Sequence, residues 1–180
     1  NGMAIAALAN AGLVFDEPAW IDAARSAHAF VSQHLVGPDG RRTHSWCDGQ
    51  ARHPATLDDH ANLARGALAL HEATGEASYL DDARTHVAAA DRHHWDPAEA
   101  GYFFAATDTR DLVAPVKHAN DHAVPSGNAV MVEVLARLHA LTGEQRFRSR
   151  AEAVVGAFSG SLARNFFPLA ALLNAAAFLE

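Results

Sequence analysis

The chain of 180 residues is long enough to form one domain with a substantial hydrophobic core. Apolar residues make up 49% of it and charged residues 19%, which excludes intrinsic disorder because disordered chains combine low hydrophobicity with high charge. The net charge of −7, without a cluster of lysines or arginines, argues against a nucleic-acid partner, since an acidic surface repels phosphate groups. No apolar stretch approaches the roughly 20 residues needed to span a bilayer, so no membrane association is expected.

The single cysteine, Cys47, rules out an internal disulfide and favours a reducing compartment, so we expect a cytoplasmic protein. The sequence contains neither a glycine-rich phosphate-binding loop nor a nucleophile elbow. His71 and Glu72 lack the second histidine of the zinc-protease motif. We therefore expect no cofactor and no metal ion.

Three segments of the chain, residues 5–35, 62–95 and 130–162, share one pattern. Each begins with an Ala/Leu-rich helix, continues through a short break, and ends with a second helix that opens on an aromatic residue. The breaks contain Gly75 and Gly143, which are suited to ending a helix, and Pro18, which is suited to the first turn of one. The pattern predicts three antiparallel helical hairpins. Its period is far longer than the roughly 34 residues of a tetratricopeptide repeat.

The two helices of each hairpin differ in how their apolar residues are distributed. The first helices, such as residues 3–13 and 128–141, are apolar on nearly every side, which is typical of a helix enclosed between other layers. The second helices carry one apolar stripe, for example Phe147, Ala151 and Val154. We therefore predict an all-α fold in which an inner ring of first helices is surrounded by an outer ring of second helices, as in part of an α/α toroid.

The connectors between hairpins are longer than a helical bundle needs. Residues 37–54 read as a turn and a short strand at 43–46, followed by the hairpin turn Asp48-Gly49. The second connector offers apolar segments at 102–104 and 112–113, separated by polar residues, and we predict short β-hairpins in both connectors with a strand at 102–104. Both connectors join an outer helix to the next inner one, so they lie on one face, where we expect a site. Residues 167–180 are predicted to form a further inner helix.

The first candidate cluster occupies residues 56–60, at the start of an inner helix. Thr56 and Asp59 have the spacing of a capping box, in which Asp59 accepts a bond from the Thr56 backbone. Capping therefore accounts for Asp59 as well as a catalytic role does. Asp58 and His60 are less easily explained by capping.

The second candidate cluster, at residues 121–128, also enters an inner helix. Asp121 has two interpretations, an Asx-turn that binds its own backbone or a catalytic carboxylate. In the predicted ring both acidic clusters lie at the same end of neighbouring inner helices and face one pocket. Paired carboxylates and histidines in one cleft suit general acid–base chemistry. Mutual desolvation raises the pKa of such acids and helix N-termini lower it, and the sequence leaves open which effect is larger.

Several stretches, taken together, resemble a known family. They are NGMAIAALA at residues 1–9, LDDHA at 57–61, PSGN at 125–128, HSW at 44–46 with DG at 48–49, and YFF at 102–104. The chain is similar over essentially its whole length to the C-terminal region of the family of spermatogenesis-associated protein 20 and its bacterial relatives.

This resemblance implies a thioredoxin-like domain followed by an (α/α)6 toroid in the family. The toroid is related to the six-hairpin glycosidases and to the N-acylglucosamine 2-epimerases, which act on sugars through acids or histidines in the funnel of the ring. By residue match, Asp58, Asp59, Asp121 and Asn128 fall on motif positions of the family.

We interpret residues 1–180 as a single domain that forms about half of such a toroid. The chain begins with Asn1-Gly2 and ends at Glu180 inside apolar helical patterns, which predicts a fragment. Three hairpins and one further helix cannot close a ring of six pairs. We therefore expect exposed apolar surface on the inner helices, to be covered by the remainder of a parent chain or by a homodimer partner.

Two functions follow as hypotheses. In the first, the chain contributes acid–base residues to a pocket for a sugar-like small molecule, with epimerase, isomerase or hydrolase chemistry. The expected catalytic residues are Asp58, Asp59 and Asp121, and the expected substrate-binding residues are His60, His122, Asn128, Trp46 and His44. In the second, the chain is a non-catalytic helical scaffold that binds a protein or supports a thioredoxin-like domain.

Overall fold

The computed structural model describes residues 1–109, 112 and 114–180 as an arrangement of helical hairpins. This part of the chain forms seven α-helices and one two-stranded antiparallel sheet. The helices are α1 (Gly2–Val14), α2 (Pro18–His34), α3 (Leu57–Thr74), α4 (Ala77–His93), α5 (Gly127–Thr142), α6 (Gln145–Arg164) and α7 (Ala170–Ala176), and the strands are β1 (Thr43–Cys47) and β2 (Gln50–Pro54). None of these helices is both long enough and apolar enough to cross a membrane. The predicted all-α fold class is confirmed.

The helices form two ranks, as predicted. In the inner rank α3 packs against α1 and α5, and α5 packs in turn against α7. The outer helices α2, α4 and α6 pack on α1, α3 and α5 respectively. Leu68 in α3 and Met131 and Leu135 in α5 have no exposed surface. The sequences of α3 and α5 are apolar nearly all round because these helices are enclosed by neighbours on several sides.

Left-handed glycines end the inner helices α3 and α5. Gly75 has a φ angle of 73° and Gly143 one of 72°, and each donates its backbone N–H to a carbonyl in the last turn of its helix. A residue with a side chain rarely adopts this conformation. The outer helix begins two residues later in both cases, so the two helices of a hairpin become antiparallel neighbours.

The first connector contains the predicted β-hairpin. β1 and β2 pair antiparallel, with Trp46 opposite Ala51 and Cys47 opposite Gln50. The turn residues Asp48 and Gly49 have φ angles of 51° and 74°, which is the positive range that a two-residue hairpin turn requires. β2 ends at Pro54 and α3 begins at Leu57, so the hairpin leads directly into the start of α3.

The second connector differs from the prediction. Residues 102–104 form only an isolated bridge between Trp95 and Tyr102 instead of a strand. The Phe103 N–H binds the His94 carbonyl, whereas the Phe104 N–H binds that of Val116, so the segment pairs with separate pieces of backbone. Of the second predicted apolar segment, residue 113 lies outside the described residues, as do residues 110 and 111.

The last segment is also less regular than predicted. Instead of one inner helix over 167–180, the short helix α7 is flanked by 3-10 turns at Phe167–Leu169 and Ala177–Leu179. Pro168 lies in the first of these turns and has no N–H to donate. α7 nevertheless occupies the inner-rank position beside α5, with Leu172 fully buried.

Asn128, in the first turn of α5, ties the second connector to the inner rank. Its Oδ1 accepts the Tyr102 N–H at 2.9 Å, and its Nδ2 donates to the carbonyls of Tyr102 and His118, each at 2.9 Å. The side chain is 1% exposed. Because the connector lacks a partner strand at this point, the amide takes over part of the pairing that a strand would supply.

The variant Asn128→Asp tests this role. It keeps the acceptor for the Tyr102 N–H but places a charged oxygen against two carbonyl groups in a buried position. We expect the free energy of unfolding, measured by urea denaturation, to fall by about 3 kcal/mol. The exposed Asn165 also accepts an N–H bond through Oδ1, so Asn165→Asp is a matched control and should change stability by less than about 0.5 kcal/mol. Equal losses of stability in the two variants would contradict the proposal that Asn128 ties the second connector to the inner rank.

Candidate functional site

The starts of α3 and α5 meet at one end of the inner rank. Gly127, the first residue of α5, lies directly against the Asp58 carboxyl group, and a Cβ atom at this glycine would overlap Asp58 Oδ1. The same Cβ would lie 2.9 Å from Leu57 Cγ. The absence of a side chain at residue 127 therefore allows the two helix starts to approach closely.

Asp58 lies in a narrow cleft between these helix starts, which it shares with Phe104, His118 and Asn128. Burial raises the pKa of the Asp58 carboxyl above its ordinary value, and the nearby Asp59 adds to this, whereas His118 and the Gly127 N–H act in the opposite direction. Within the described residues, Asp58 Oδ1 has no hydrogen-bond partner. The cleft has no room for a water molecule in this structure.

Asp59 joins the first turn of α3 to the β-hairpin. Its Oδ2 accepts the Thr56 N–H at 2.8 Å and the Thr56 hydroxyl at 2.9 Å, which confirms the predicted capping box. The same carboxylate lies 2.9 Å from His44 Nδ1, and the His44 side chain is 55% exposed. The carboxylate thus fixes one ring nitrogen of an imidazole that is open to solvent.

Trp46 lies on the same face of β1 as His44, two residues along the strand. Its ring makes edge contacts with His34 at 5.1 Å and Phe30 at 6.4 Å between centroids, both in α2. Trp46 and Phe30 are 36% and 46% exposed. These three side chains form an exposed aromatic surface that continues from the His44–Asp59 pair.

Asp121 is occupied by backbone groups. One of its oxygens accepts the Ser126 N–H at 3.1 Å and the other accepts the Ala171 N–H at 2.8 Å, so it holds the start of α5 to the start of α7. His122 is exposed, and its ring lies 6.0 Å from that of His118. Sequence reasoning missed His118, because nothing local distinguishes it from the other polar residues of its connector.

His60 faces away from the other candidates. It is 5% exposed, its Nδ1 lies 3.5 Å from that of His86 in α4, and its ring centre lies 5.6 Å from that of His94. Burial lowers the pKa of His60 to about 4 and that of His86 to about 3; His94 adds to the shift of His60, and His60 adds to that of His86. Burial likewise lowers the pKa of His94.

No group of three or more histidine, cysteine or acidic side chains in the described part of the chain is arranged to hold a metal ion. The acid–base candidates of the first turn of α3 lie in three places. Asp58 lies in the cleft at the start of α5, Asp59 lies beside the hairpin with His44, and His60 lies against α4.

The curated proteins that match this sequence share the name spermatogenesis-associated protein 20. The chain is 29% identical to spermatogenesis-associated protein 20 of Mus musculus and 30% identical to that of Rattus norvegicus, in each case over 174 residues. Each alignment covers 91% of this chain and 22% of the relative, so the chain spans about a fifth of the length of the curated relatives it matches. The resemblance inferred from the sequence motifs is confirmed. No protein-family model matches the chain.

Solved structures with a similar fold are enzymes named for sugars. A GH76 α-mannanase of Bacteroides thetaiotaomicron matches 99% of this chain and 50% of its own with a TM-score of 0.77 and 15% identity. A D-mannose isomerase matches 87% and 43% of the two chains with a TM-score of 0.71 and 16% identity. The cellobiose 2-epimerase of Spirochaeta thermophila matches 87% and 42% with a TM-score of 0.66 and 22% identity. The fold is that of the six-hairpin α/α toroids, of which the chain corresponds to half or less.

Acidification is expected to destabilise this fold through His60 and His86. As the pH falls through 6.5 both imidazoles take up a proton in the unfolded chain, whereas burial keeps their folded pKa at about 4 and about 3. Above about pH 7.5 neither state is protonated and no stability is lost. Between a pH of about 6.5 and the folded pKa values, the unfolded chain binds more protons than the folded chain. The free energy of unfolding should therefore fall by about 1.4 kcal/mol for each histidine as the pH drops by one unit in this range.

Urea denaturation between about pH 7.5 and about pH 4.5 measures this dependence. The variant His86→Gln should remove the contribution of one histidine and leave a shallower slope. His53 is exposed and has a φ angle of 60°, which asparagine tolerates, so His53→Asn serves as the control. Its slope should match the wild type, because this substitution leaves the buried pair of His60 and His86 in place. An unchanged slope in His86→Gln would refute the assignment.

Proposed function

We propose that the chain contributes an acid–base site to a carbohydrate-type pocket, and that His44 and Asp59 form its reactive pair. The observation that carries the proposal is the 2.9 Å contact between Asp59 and His44 Nδ1 in an imidazole that is 55% exposed. A carboxylate bound to one ring nitrogen fixes the tautomer and leaves Nε2 to exchange a proton with a substrate. Epimerisation, isomerisation and hydrolysis of sugars all need such proton transfer.

We propose different roles for the other predicted residues. Asp58 is the second acid–base candidate, because burial raises the pKa of its carboxyl and favours a protonated form that can donate. Its cleft would have to open by movement of the Phe104 and His118 side chains. Asp121 and Asn128 act by positioning, since their polar atoms bind backbone groups.

Trp46 is proposed to bind the sugar ring. Its exposed face lies beside Phe30 and His34, and an aromatic surface of this kind suits the apolar face of a pyranose. The fold neighbours support the substrate class, since their names refer to mannose, mannan and cellobiose. We propose that His122, which is exposed beside His118, also contacts the sugar. We assign no direct contact with the sugar to His60, because the ring is buried against α4.

A second candidate function is a non-catalytic scaffold. It is favoured by the engagement of Asp121 with two backbone N–H groups and by the closed cleft at Asp58. In this case the helix starts are held by polar contacts that serve only stability. A scaffold is expected to bind none of the sugars and to interconvert none of them.

NMR detection of the binding and interconversion of mannose and cellobiose by the chain separates the two functions. We expect His44→Gln to lower kcat by about 100-fold with little change in KM, because a positioned acid–base group contributes roughly 10²–10⁴-fold. Trp46→Ala should instead raise KM. His71→Gln, at the opposite end of α3, is the histidine control and should retain wild-type rates. Sugar turnover that survives His44→Gln would refute the assigned pair, and a folded chain that binds neither sugar would favour the scaffold.

A further inference from the structure

A large groove lies on the outer side of α3, between the C-terminal part of α4 and the first connector. Its volume is about 850 Å³, which is in the range of pockets that hold small molecules. One wall is the α4 face that includes Ala88 and Ala89, and the opposite wall is formed by the turn before the hairpin, which includes Pro38, and by hairpin residues such as Pro54. The first turn of α3 separates this groove from the His44–Asp59 pair.

The groove is positively charged, although the chain carries a net charge of −7. Three arginines line it, Arg41, Arg42 and Arg92, and the one acidic residue among the described lining residues is Asp39. Arg41 makes a two-pronged contact with Asp108, at 2.7 and 3.2 Å, which neutralises part of this charge. Among the described residues no carboxylate lies within ion-pair distance of Arg92, which is exposed. An excess of guanidinium groups in one groove favours an anionic ligand.

The floor of the groove consists of buried polar groups. His60 and His86 are 5% and 4% exposed, and both line it. Their Nδ1 atoms face each other at 3.5 Å, and within the described residues no partner is found for their Nε2 atoms. Thr43 also lines the groove, and within the described residues its buried hydroxyl has no hydrogen-bond partner. Buried polar groups are usually satisfied, so a floor with unused hydrogen-bonding capacity indicates a place for a polar ligand group.

We propose that this groove binds a phosphorylated small molecule, with the phosphate held by Arg92 and Arg41 above the imidazoles of His60 and His86. Guanidinium groups bind phosphate oxygens through paired N–H donors, and more than one of them suits a doubly charged group. Arg42 adds charge but is anchored, since it donates to the Val31 and Ser32 carbonyls at the end of α2. The alanine and proline walls are suited to the uncharged part of the ligand.

This site is separate from the proposed acid–base site. It uses the face of α3 that carries His60, whereas Asp59 points to the hairpin. Binding in the groove would therefore persist in the His44→Gln variant. That variant distinguishes a failure of one proposal from a failure of the other.

NMR titration of the histidine ring resonances with inorganic phosphate, and then with glucose 6-phosphate and glucose, tests the proposal. We expect saturable shifts at His60 and His86 with both phosphates and none with glucose. Arg92→Gln should weaken phosphate binding about tenfold, since a hydrogen bond to a charged group carries roughly that much affinity. Arg148→Gln makes the same change of charge on α6 and should bind as the wild type does.

A second variant tests the groove without changing its charge. Ala88 is exposed on α4, so Ala88→Leu is compatible with the helix and narrows the groove. It should weaken glucose 6-phosphate more than inorganic phosphate, because only the former places a ring against this wall. Equal weakening by Arg92→Gln and Arg148→Gln would overturn the proposal, as would the absence of saturable shifts. Tighter binding of glucuronate than of glucose 6-phosphate would overturn the assignment of phosphate as the preferred group.

Discussion

The enclosure of α3 on several sides is the constraint on which the rest of the structure depends. α3 is in contact with α1, α4 and α5, and Ala61, Ala64, Ala67 and Leu68 along it have no exposed surface. The approach of α1 is possible only because small residues meet there, since a Cβ atom at Gly66 would lie 3.1 Å from the Gly2 carbonyl oxygen. A helix held this tightly cannot rotate, so each side chain of its first turn has a fixed direction.

That fixed direction places three consecutive polar residues in three different environments. Asp58 is directed to the start of α5, Asp59 to the hairpin and His60 to α4. Successive residues of a helix are separated by about 100°, so one turn between several neighbours naturally distributes its side chains among them. Asp59 keeps an exposed imidazole as its partner, whereas His60 is held neutral by burial. One short motif therefore contributes to the proposed acid–base pair and to the floor of a separate groove.

The fold relates this chain to enzymes named for sugars, but a fold alone does not establish an activity. The sequence identity to those enzymes is 22% or less, so the proposed roles depend on this chain's own residues. The contact between His44 and Asp59 is a feature of this chain, and the role proposed for it does not depend on the neighbours. The arginine-lined groove is likewise a property of the first connector and α4. The neighbours contribute the class of molecule to test at the first site.

The sequence alone determined the features that depend on local interactions. The helix positions follow from apolar periodicity, the ends of α3 and α5 from Gly75 and Gly143, and the Thr56–Asp59 capping box from a spacing of three residues. The turn at Asp48-Gly49 belongs to the same class, because positive φ angles are encoded by residue type.

Only the tertiary structure decided which distant residues meet. The pairing of His44 with Asp59 joins a strand to a helix, and that of His60 with His86 joins two helices, and neither contact has a local signal. Contacts between distant residues also explain why residues 102–104 do not form a strand. Their backbone groups bind Asn128 and three other parts of the chain. Burial and hydrogen-bond partners are set by packing between elements, so the roles of these polar side chains could not be predicted from the order of the residues.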